Sequence, residues 1–163
     1  MIGFTMPSSE RYPYHPTYNP DVEPYWEGVR RGELLYQVCD DCGEAVFHPR
    51  AMCPYCMGSR LAFHKSCGSG RIYSFTIQYF SASDALRERL PYALGIVEMQ
   101  EGYYMFAEIV PADPDRLRVG APVDVWFDKV DVDLVLPKFR LAIDGTRDAS
   151  PPRTARAHPG DSA

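Results

Sequence analysis

The 163 residues suit one domain of ordinary size or two small ones, and a hydrophobic content of 45% supports a real core. Twenty-two acidic residues outweigh 17 basic ones, and the formal charge of −5 argues against general attraction to the phosphates of nucleic acid. No apolar run has transmembrane length, and the first six residues lack the basic and apolar parts of a signal peptide, so we predict a cytoplasmic protein without membrane contact.

The N-terminal part is predicted to be an arm and a short helix. Residues 1–20 are rich in proline and tyrosine, which excludes a helix or an inner strand. We expect an extended arm that packs on the domain or on a partner, with disorder as the alternative. Residues 21–33 are predicted to form an amphipathic helix that Gly32 ends. Its apolar residues recur at helical spacing: Val22, Tyr25, Trp26 and Val29.

Residues 34–67 hold the strongest signal, two Cys-x-x-Cys pairs: Cys39, Cys42, Cys53 and Cys56. Four converging thiolates form the tetrahedral site that zinc favours, and iron is the second choice. Gly43 and Gly58 suit the tight turn after each pair. Two disulfides are the alternative, but nothing in the sequence indicates an oxidising compartment. Sulfur would fill all four coordination positions, so we predict a structural zinc ribbon.

Residues 68–145 are predicted to form a five-stranded, mostly antiparallel barrel, which leaves no open sheet edge. The expected strands cover residues 71–79, 92–99, 103–110, 123–127 and 134–141. In the first strand, alternation places Tyr73, Phe75, Ile77 and Tyr79 on one face. Residues 146–163 are polar and proline-rich, and we predict a disordered tail.

A helix, a four-cysteine ribbon and then a small barrel resemble the zinc-ribbon plus OB-fold family known as domain of unknown function 35. The resemblance covers roughly residues 20 to 142 and is carried by short motifs whose order and spacing match. The motifs are Tyr25-Trp-Glu-Gly28, Gly32-Glu-Leu34, Cys39-x-x-Cys42-Gly43, Pro49-Arg50 before Cys53-Pro54-x-Cys56, Gly70-Arg-Ile-Tyr-Ser-Phe75, Val119-Gly-Ala-Pro-Val123 and Leu136-Pro-Lys-Phe-Arg140.

That resemblance implies an accessory subunit, not catalytic alone, of a thiolase, a retro-aldolase or an acyltransferase. Its barrel is expected to bind acyl-CoA or to dock a thiolase-fold catalytic subunit, which makes the protein a hetero-oligomer. We expect no fused hydratase domain of the kind that some family members carry.

The residues themselves favour no catalytic group. Cys67, with His64 three residues before it, lacks an electropositive setting that would activate a thiol. His48 could compete as a metal ligand, but a surface histidine is the simpler interpretation beside four cysteines. We therefore predict no catalytic residue in this chain.

Coenzyme A carries phosphates and an adenine ring, so a binding site needs a few cations and an aromatic surface. Trp126 is predicted to face outward from its strand and to offer that surface. For each cation, a solvated surface position is the alternative. The candidate cations are Arg71, Arg87, Arg89, Lys138 and Arg140.

Two other functions stay open at this point. Zinc ribbons and OB folds also occur in nucleic-acid-binding proteins, but residues 68–144 carry eight basic against twelve acidic residues, which weakens that alternative. A rubredoxin-like electron carrier would hold iron and be red.

Overall fold

A computed structural model describes residues 20–142, which fold into two short helices and two β-sheets. The predicted tail and, apart from Pro20, the predicted arm lie outside the described residues. A 3-10 turn over Pro20–Val22 leads into helix α1, Glu23–Arg30. Gly32, at φ +75°, ends the helix as predicted, and its N–H donates to the Val29 carbonyl at 3.0 Å. Within residues 20–142, no helix has the length and apolar character needed to cross a bilayer.

The ribbon is a three-stranded antiparallel sheet with the spatial order β2-β1-β3. Its strands are β1 (Leu35–Cys39), β2 (Ala45–Val46) and β3 (Leu61–Lys65). The central strand β1 pairs with both neighbours and ends at Cys39, so the sheet delivers the first cysteine directly to the candidate metal centre.

The second sheet closes into a barrel with the order β4-β5-β6-β8-β7. Its elements are β4 (Ser69–Gln78), helix α2 (Asp84–Arg87), β5 (Tyr92–Met99), β6 (Tyr104–Val110), β7 (Pro122–Lys129) and β8 (Val135–Leu141). Neighbouring strands are antiparallel except β6 and β8, which pair in parallel. The predicted fold class is confirmed: an N-terminal helix, a zinc ribbon and a five-stranded OB barrel. The exact domain boundaries stay a prediction.

Strand β4 departs from the strict alternation predicted for it. Its register against β5 shifts between Ile72 and Ser74, where a bulge inserts one extra residue. Ile72 is buried, while Tyr73 points to solvent with 56% of its surface exposed. The expectation that Tyr73 and Tyr79 share a face with Phe75 and Ile77 was therefore wrong: only Phe75 and Ile77 pack on the core, and Tyr79, just past the end of β4, is exposed.

An aromatic junction joins the helix, the ribbon and the barrel. It consists of Tyr25 from α1, Tyr36 from β1, Phe47 after β2, and Tyr103 before β6. The ring of Phe47 stacks on Tyr103 at 5.1 Å between centroids and meets the edge of Tyr25 at 5.8 Å. Tyr36 stacks on Tyr103 at 5.0 Å. Burial raises the pKa of Tyr103 far above its ordinary value, so its phenol stays neutral.

The last barrel strand carries a buried cation, Lys138, that ties together both neighbouring strands. Its ammonium lies 3.1 Å from a carboxylate oxygen of Glu108 on β6 and 2.7 Å from one of Asp128 on β7. Arg89 also pairs with Glu108, at 2.6 Å. Because Lys138 is 5% exposed, its charge depends on these carboxylates instead of on water.

We predict that Lys138→Met lowers the free energy of unfolding by about 3 kcal/mol, because it leaves Asp128 without its cation while Glu108 keeps Arg89. Denaturant unfolding measures the change. The matched control is Lys129→Met on the exposed end of β7, which should alter stability by no more than about 0.5 kcal/mol. Equal stability of K138M and wild type would contradict the prediction.

Candidate functional site

The two Cys-x-x-Cys pairs converge on one point. The sulfur of Cys39 lies 3.6 Å from that of Cys56, and the sulfur of Cys42 lies 3.7 Å from that of Cys53. All four sulfurs fall within 4.8 Å of one another. A tetrahedral zinc with Zn–S bonds near 2.3 Å requires sulfur separations of about 3.8 Å. The cysteines are free thiols, so the arrangement fits a four-sulfur metal site and not the two disulfides of the alternative.

Matching turns present the two pairs. In the first turn, the Gly43 N–H donates to the Cys39 carbonyl at 2.7 Å; in the second, the Met57 N–H donates to the Cys53 carbonyl at 3.0 Å. The left-handed residues are Gly43, at φ +77°, and Met57, at φ +63°. The first glycine therefore has the role predicted for it, whereas the expectation for Gly58 was wrong.

Gly58 is required for space instead of for its backbone angle. A Cβ atom on Gly58 would come within 2.2 Å of a carboxylate oxygen of Asp41. That carboxylate accepts a hydrogen bond from the Arg60 guanidinium at 2.9 Å, which fixes its position. A side chain at position 58 would therefore push the Asp41 carboxylate out of its contact with Arg60, and glycine lets the two Cys-x-x-Cys turns, called knuckles below, lie side by side undisturbed.

Backbone N–H groups point at the sulfurs. Amide N–H groups of Tyr55 and Gly58 each donate to a cysteine sulfur at 3.4 Å, those of Cys53 and Cys56 respectively.

The four thiols are not equally acidic. Burial acts to raise the pKa of Cys39, but hydrogen bonds from backbone N–H groups outweigh it and hold that pKa below its ordinary value. A backbone N–H acts to lower the pKa of Cys42 and of Cys56, but burial and the neighbouring thiols outweigh it and raise both. Metal ligation requires thiolates, so a bound cation would have to draw the protons from these two cysteines.

The part of the ribbon around the cysteines has almost no core apart from its sulfurs. Its buried cluster consists of Cys39, Val46 and Cys53, with Leu61 packed against it. Other apolar side chains of the ribbon sheet, such as Phe63, pack on the core of the barrel instead. So small a local core cannot offset the conformational entropy of ordering the knuckles, and small units of this kind depend on a metal. The site thus has the four ligands and the closed geometry of a structural ion.

Cys67 and His48, the two other residues considered for catalysis or metal binding, lie outside the four-sulfur cluster. Cys67 is held beside two polar side chains: its backbone N–H donates to the Glu101 carboxylate at 2.6 Å, and its thiol donates to the Gln100 side-chain oxygen at 3.2 Å. Burial, together with the Glu101 charge, raises the pKa of Cys67, which makes it a poor nucleophile. His48 is not in the four-sulfur cluster; its ring packs on Tyr25 at 5.0 Å.

The six predicted coenzyme A contacts separate into different environments. Trp126 and Arg140 meet on neighbouring strands, where the guanidinium lies 5.5 Å from the centre of the indole ring. Arg89 and Lys138 meet at Glu108, as described above. Arg71 donates to the Gly120 carbonyl at 3.0 Å, and Arg87 pairs with Asp84 at 3.0 Å.

Sequence reasoning missed a set of exposed apolar side chains on the barrel. They are Tyr73, Ile96, Tyr104 and Phe106. A signal was present, because β5 and β6 carry apolar residues at both alternating positions, a pattern of strands covered on both faces. The bulge at Tyr73 had no such signal.

Two family models cover most of the described chain. Residues 26–63 match the rubredoxin-like zinc ribbon domain of ChsH2, and residues 64–128 match the C-terminal OB-fold domain of ChsH2. The two matches adjoin where the ribbon sheet gives way to the barrel.

Similar proteins fall into two groups by size. A probable enoyl-CoA hydratase alpha subunit of Thermomonospora curvata is 28% identical over 128 residues, 78% of this chain, which spans only 40% of that relative's length. A DUF35 domain-containing scaffold protein of Methanothermobacter thermautotrophicus is 34% identical over 107 residues, 64% of this chain and 80% of the relative. A chain of the solved structure described as the Ltp2-ChsH2(DUF35) aldolase matches with a TM-score of 0.71 and 28% identity, over 79% of this chain and all of that one.

We predict that Cys53→Ser lowers the zinc content from about one ion per chain to near zero, because the hydroxyl is a much weaker ligand than the thiolate it replaces. Elemental analysis of the purified protein measures the ion, and it also distinguishes zinc from iron. Cys67→Ser is the matched control, since Cys67 is not in the cluster and should leave the metal content unchanged. Full zinc occupancy in C53S would refute the four-sulfur assignment.

Proposed function

The chain belongs to the family of DUF35 zinc-ribbon and OB-fold proteins, and on that premise we propose that it is an accessory subunit that docks a thiolase-fold catalytic subunit of acyl-CoA metabolism. The observation that carries the proposal is the match along the full length of a chain from the Ltp2-ChsH2(DUF35) aldolase, at 28% identity. The name of the Thermomonospora curvata relative, an alpha subunit, also supports a role within an assembly.

The described residues favour an accessory role over a catalytic one. The four sulfurs occupy every position of a tetrahedral ion and leave none for substrate or water. The ion that we propose is zinc, whose part is to cross-link the two knuckles. Four thiolate ligands also require a reducing compartment, for which we propose the cytoplasm. Catalytic groups would then belong to the partner subunit.

The metal centre is proposed to fix the orientation of the ribbon on the barrel, and so the surface to which the partner binds. The loop between the knuckles is tied to the ribbon sheet by the Arg50 N–H, which donates to the buried Gln37 side chain at 2.9 Å. The same loop carries Phe47, which contacts both Tyr25 of the helix and Tyr103 of the barrel. Loss of the ion would release this loop and with it the orientation of the ribbon on the barrel.

The proposal also includes a direct contact between this chain and acyl-CoA. Among the six predicted contacts, Trp126 and Arg140 form the best supported pair. The Arg140 guanidinium is exposed and lies over the Trp126 ring, so a phosphate and an adenine ring could bind side by side there. The charge of Lys138 is neutralised by Glu108 and Asp128, which makes it a weaker candidate.

Tagged protein from its native host is expected to co-purify with a thiolase-fold protein, identified by mass spectrometry. The isolated chain should turn over no acyl-CoA substrate, while the co-purified complex should cleave or form an acyl-CoA carbon–carbon bond or transfer an acyl group. Cys39→Ser should lose zinc and partner together, whereas Cys67→Ser should keep both. Thiolysis or aldol cleavage by the pure chain, or the absence of any thiolase-fold partner, would refute the proposal.

Arg140→Gln is expected to weaken binding of acetyl-CoA to the full chain about tenfold, because a charge-assisted contact with phosphate is lost. Quenching of tryptophan fluorescence or calorimetry measures the affinity. Arg116→Gln removes the same charge from another exposed position and should bind as wild type does. If R140Q and R116Q bind equally well, the proposed contact is absent, although docking of the catalytic subunit would be unaffected.

A further inference from the structure

We propose that the catalytic subunit docks on one particular surface, the outer face of strands β4, β5 and β6. This inference rests on the proposed function and specifies its interface. The surface, called the aromatic face below, consists of Tyr73, Ile96, Tyr104 and Phe106.

The aromatic face exposes large apolar side chains on a part of the barrel where polar residues are usual. Phe106 is 67% exposed, Tyr73 56%, Tyr104 48% and Ile96 36%. The outward side of an antiparallel sheet normally faces water and carries polar side chains, and a contiguous apolar patch marks an interaction site.

The register shows that these side chains form one patch. Ile96 on the central strand β5 pairs directly with Phe106 on β6. Glu98, two residues along β5, pairs with Tyr104, whose hydroxyl donates to that carboxylate at 3.1 Å. Tyr73 reaches Tyr104 with their ring centres 5.2 Å apart, although their strands lie on opposite sides of β5. The β4 bulge therefore brings Tyr73 to the patch.

The centre of the patch offers side chains, not backbone, to a partner. Strand β5 is hydrogen-bonded to β4 on one side and to β6 on the other, so its peptide groups are already satisfied. A partner therefore cannot pair with β5 and meets the side chains of the patch there. Rigid aromatic side chains of this kind are the typical hot spots of protein interfaces.

Charged groups of both signs flank the apolar centre at two ends. Arg71 and Glu98 are opposite each other in the register at one end of the patch. At the other end Glu108, two residues beyond Phe106 on β6, pairs with Arg89 and Lys138. An apolar centre with a polar rim is the anatomy of a specific interface. Mixed charges at the rim favour a protein over a strongly charged ligand such as nucleic acid.

The size of the patch favours a different protein over a second copy of this chain. The exposed parts of these four side chains amount to about 400 Å², given 150–250 Å² for a whole aromatic side chain. That is close to the apolar part of one side of a standard hetero-interface, about 57% of about 800 Å². Permanent homodimers use larger and more apolar surfaces. We therefore assign the face to the catalytic subunit.

The test places a charge at the centre of the patch in the co-expressed complex. Phe106→Glu should weaken binding of the catalytic subunit at least about 30-fold, the loss expected for a hot-spot residue. Val132→Glu is the matched control, since Val132 is 71% exposed in the loop between β7 and β8 and should bind as wild type does. Co-purification yield and biolayer interferometry measure the affinity, while zinc content and melting temperature verify the fold.

Each result distinguishes a failure of the docking assignment from a failure of the proposed function. Full binding by F106E overturns the assignment of the face but leaves the proposed function standing. Failure of the wild type to bind any thiolase-fold subunit overturns the proposed function. A wild-type homodimer that F106E converts to a monomer would show a second copy on the face and would also overturn the assignment. If F106E loses its zinc or unfolds, Ile96→Lys is interpreted by the same criteria.

Discussion

Convergence of four sulfurs is the constraint on which the rest of the structure depends. Around them the two knuckles bury only Cys39, Val46 and Cys53, which is too little apolar surface to order the knuckles. A metal held by the four sulfurs would supply what this small core lacks. The rest of the molecule differs, because the inward side chains of the barrel form a continuous core that extends to Tyr25 of the helix and Tyr36 of the ribbon sheet. One part of the molecule, the knuckles, therefore depends on coordination, and the other part on packing.

The aromatic junction couples these two parts. Phe47 lies in the loop between the knuckles and stacks on Tyr103 of the barrel. Tyr36 reaches the same ring from the ribbon sheet. Stacked and edge-on rings add directional contacts to the burial of apolar area, so they fix an orientation as well as an association. A joint of this kind holds the ribbon and the barrel at a defined angle.

The elements set by local chemistry could be predicted from the sequence. Cysteine spacing located the metal centre, and glycine ended the helix at Gly32. Features that depend on neighbours could not be predicted. Gly58 is needed because Asp41 approaches it in space, and the exposure of Tyr73 follows from a one-residue shift against β5. A lysine also gives no hint in sequence that two carboxylates will bury it, as they do Lys138.

The parallel pairing of β6 with β8 has a consequence for the order in which the ribbon and the barrel fold during synthesis. The ribbon sheet is complete at Lys65, so its cysteines can capture their ion while most of the barrel is still unsynthesised. The barrel closes only after Val135–Leu141 emerges to fill the gap beside β6. Nascent chains would thus acquire metal first and a sealed barrel second.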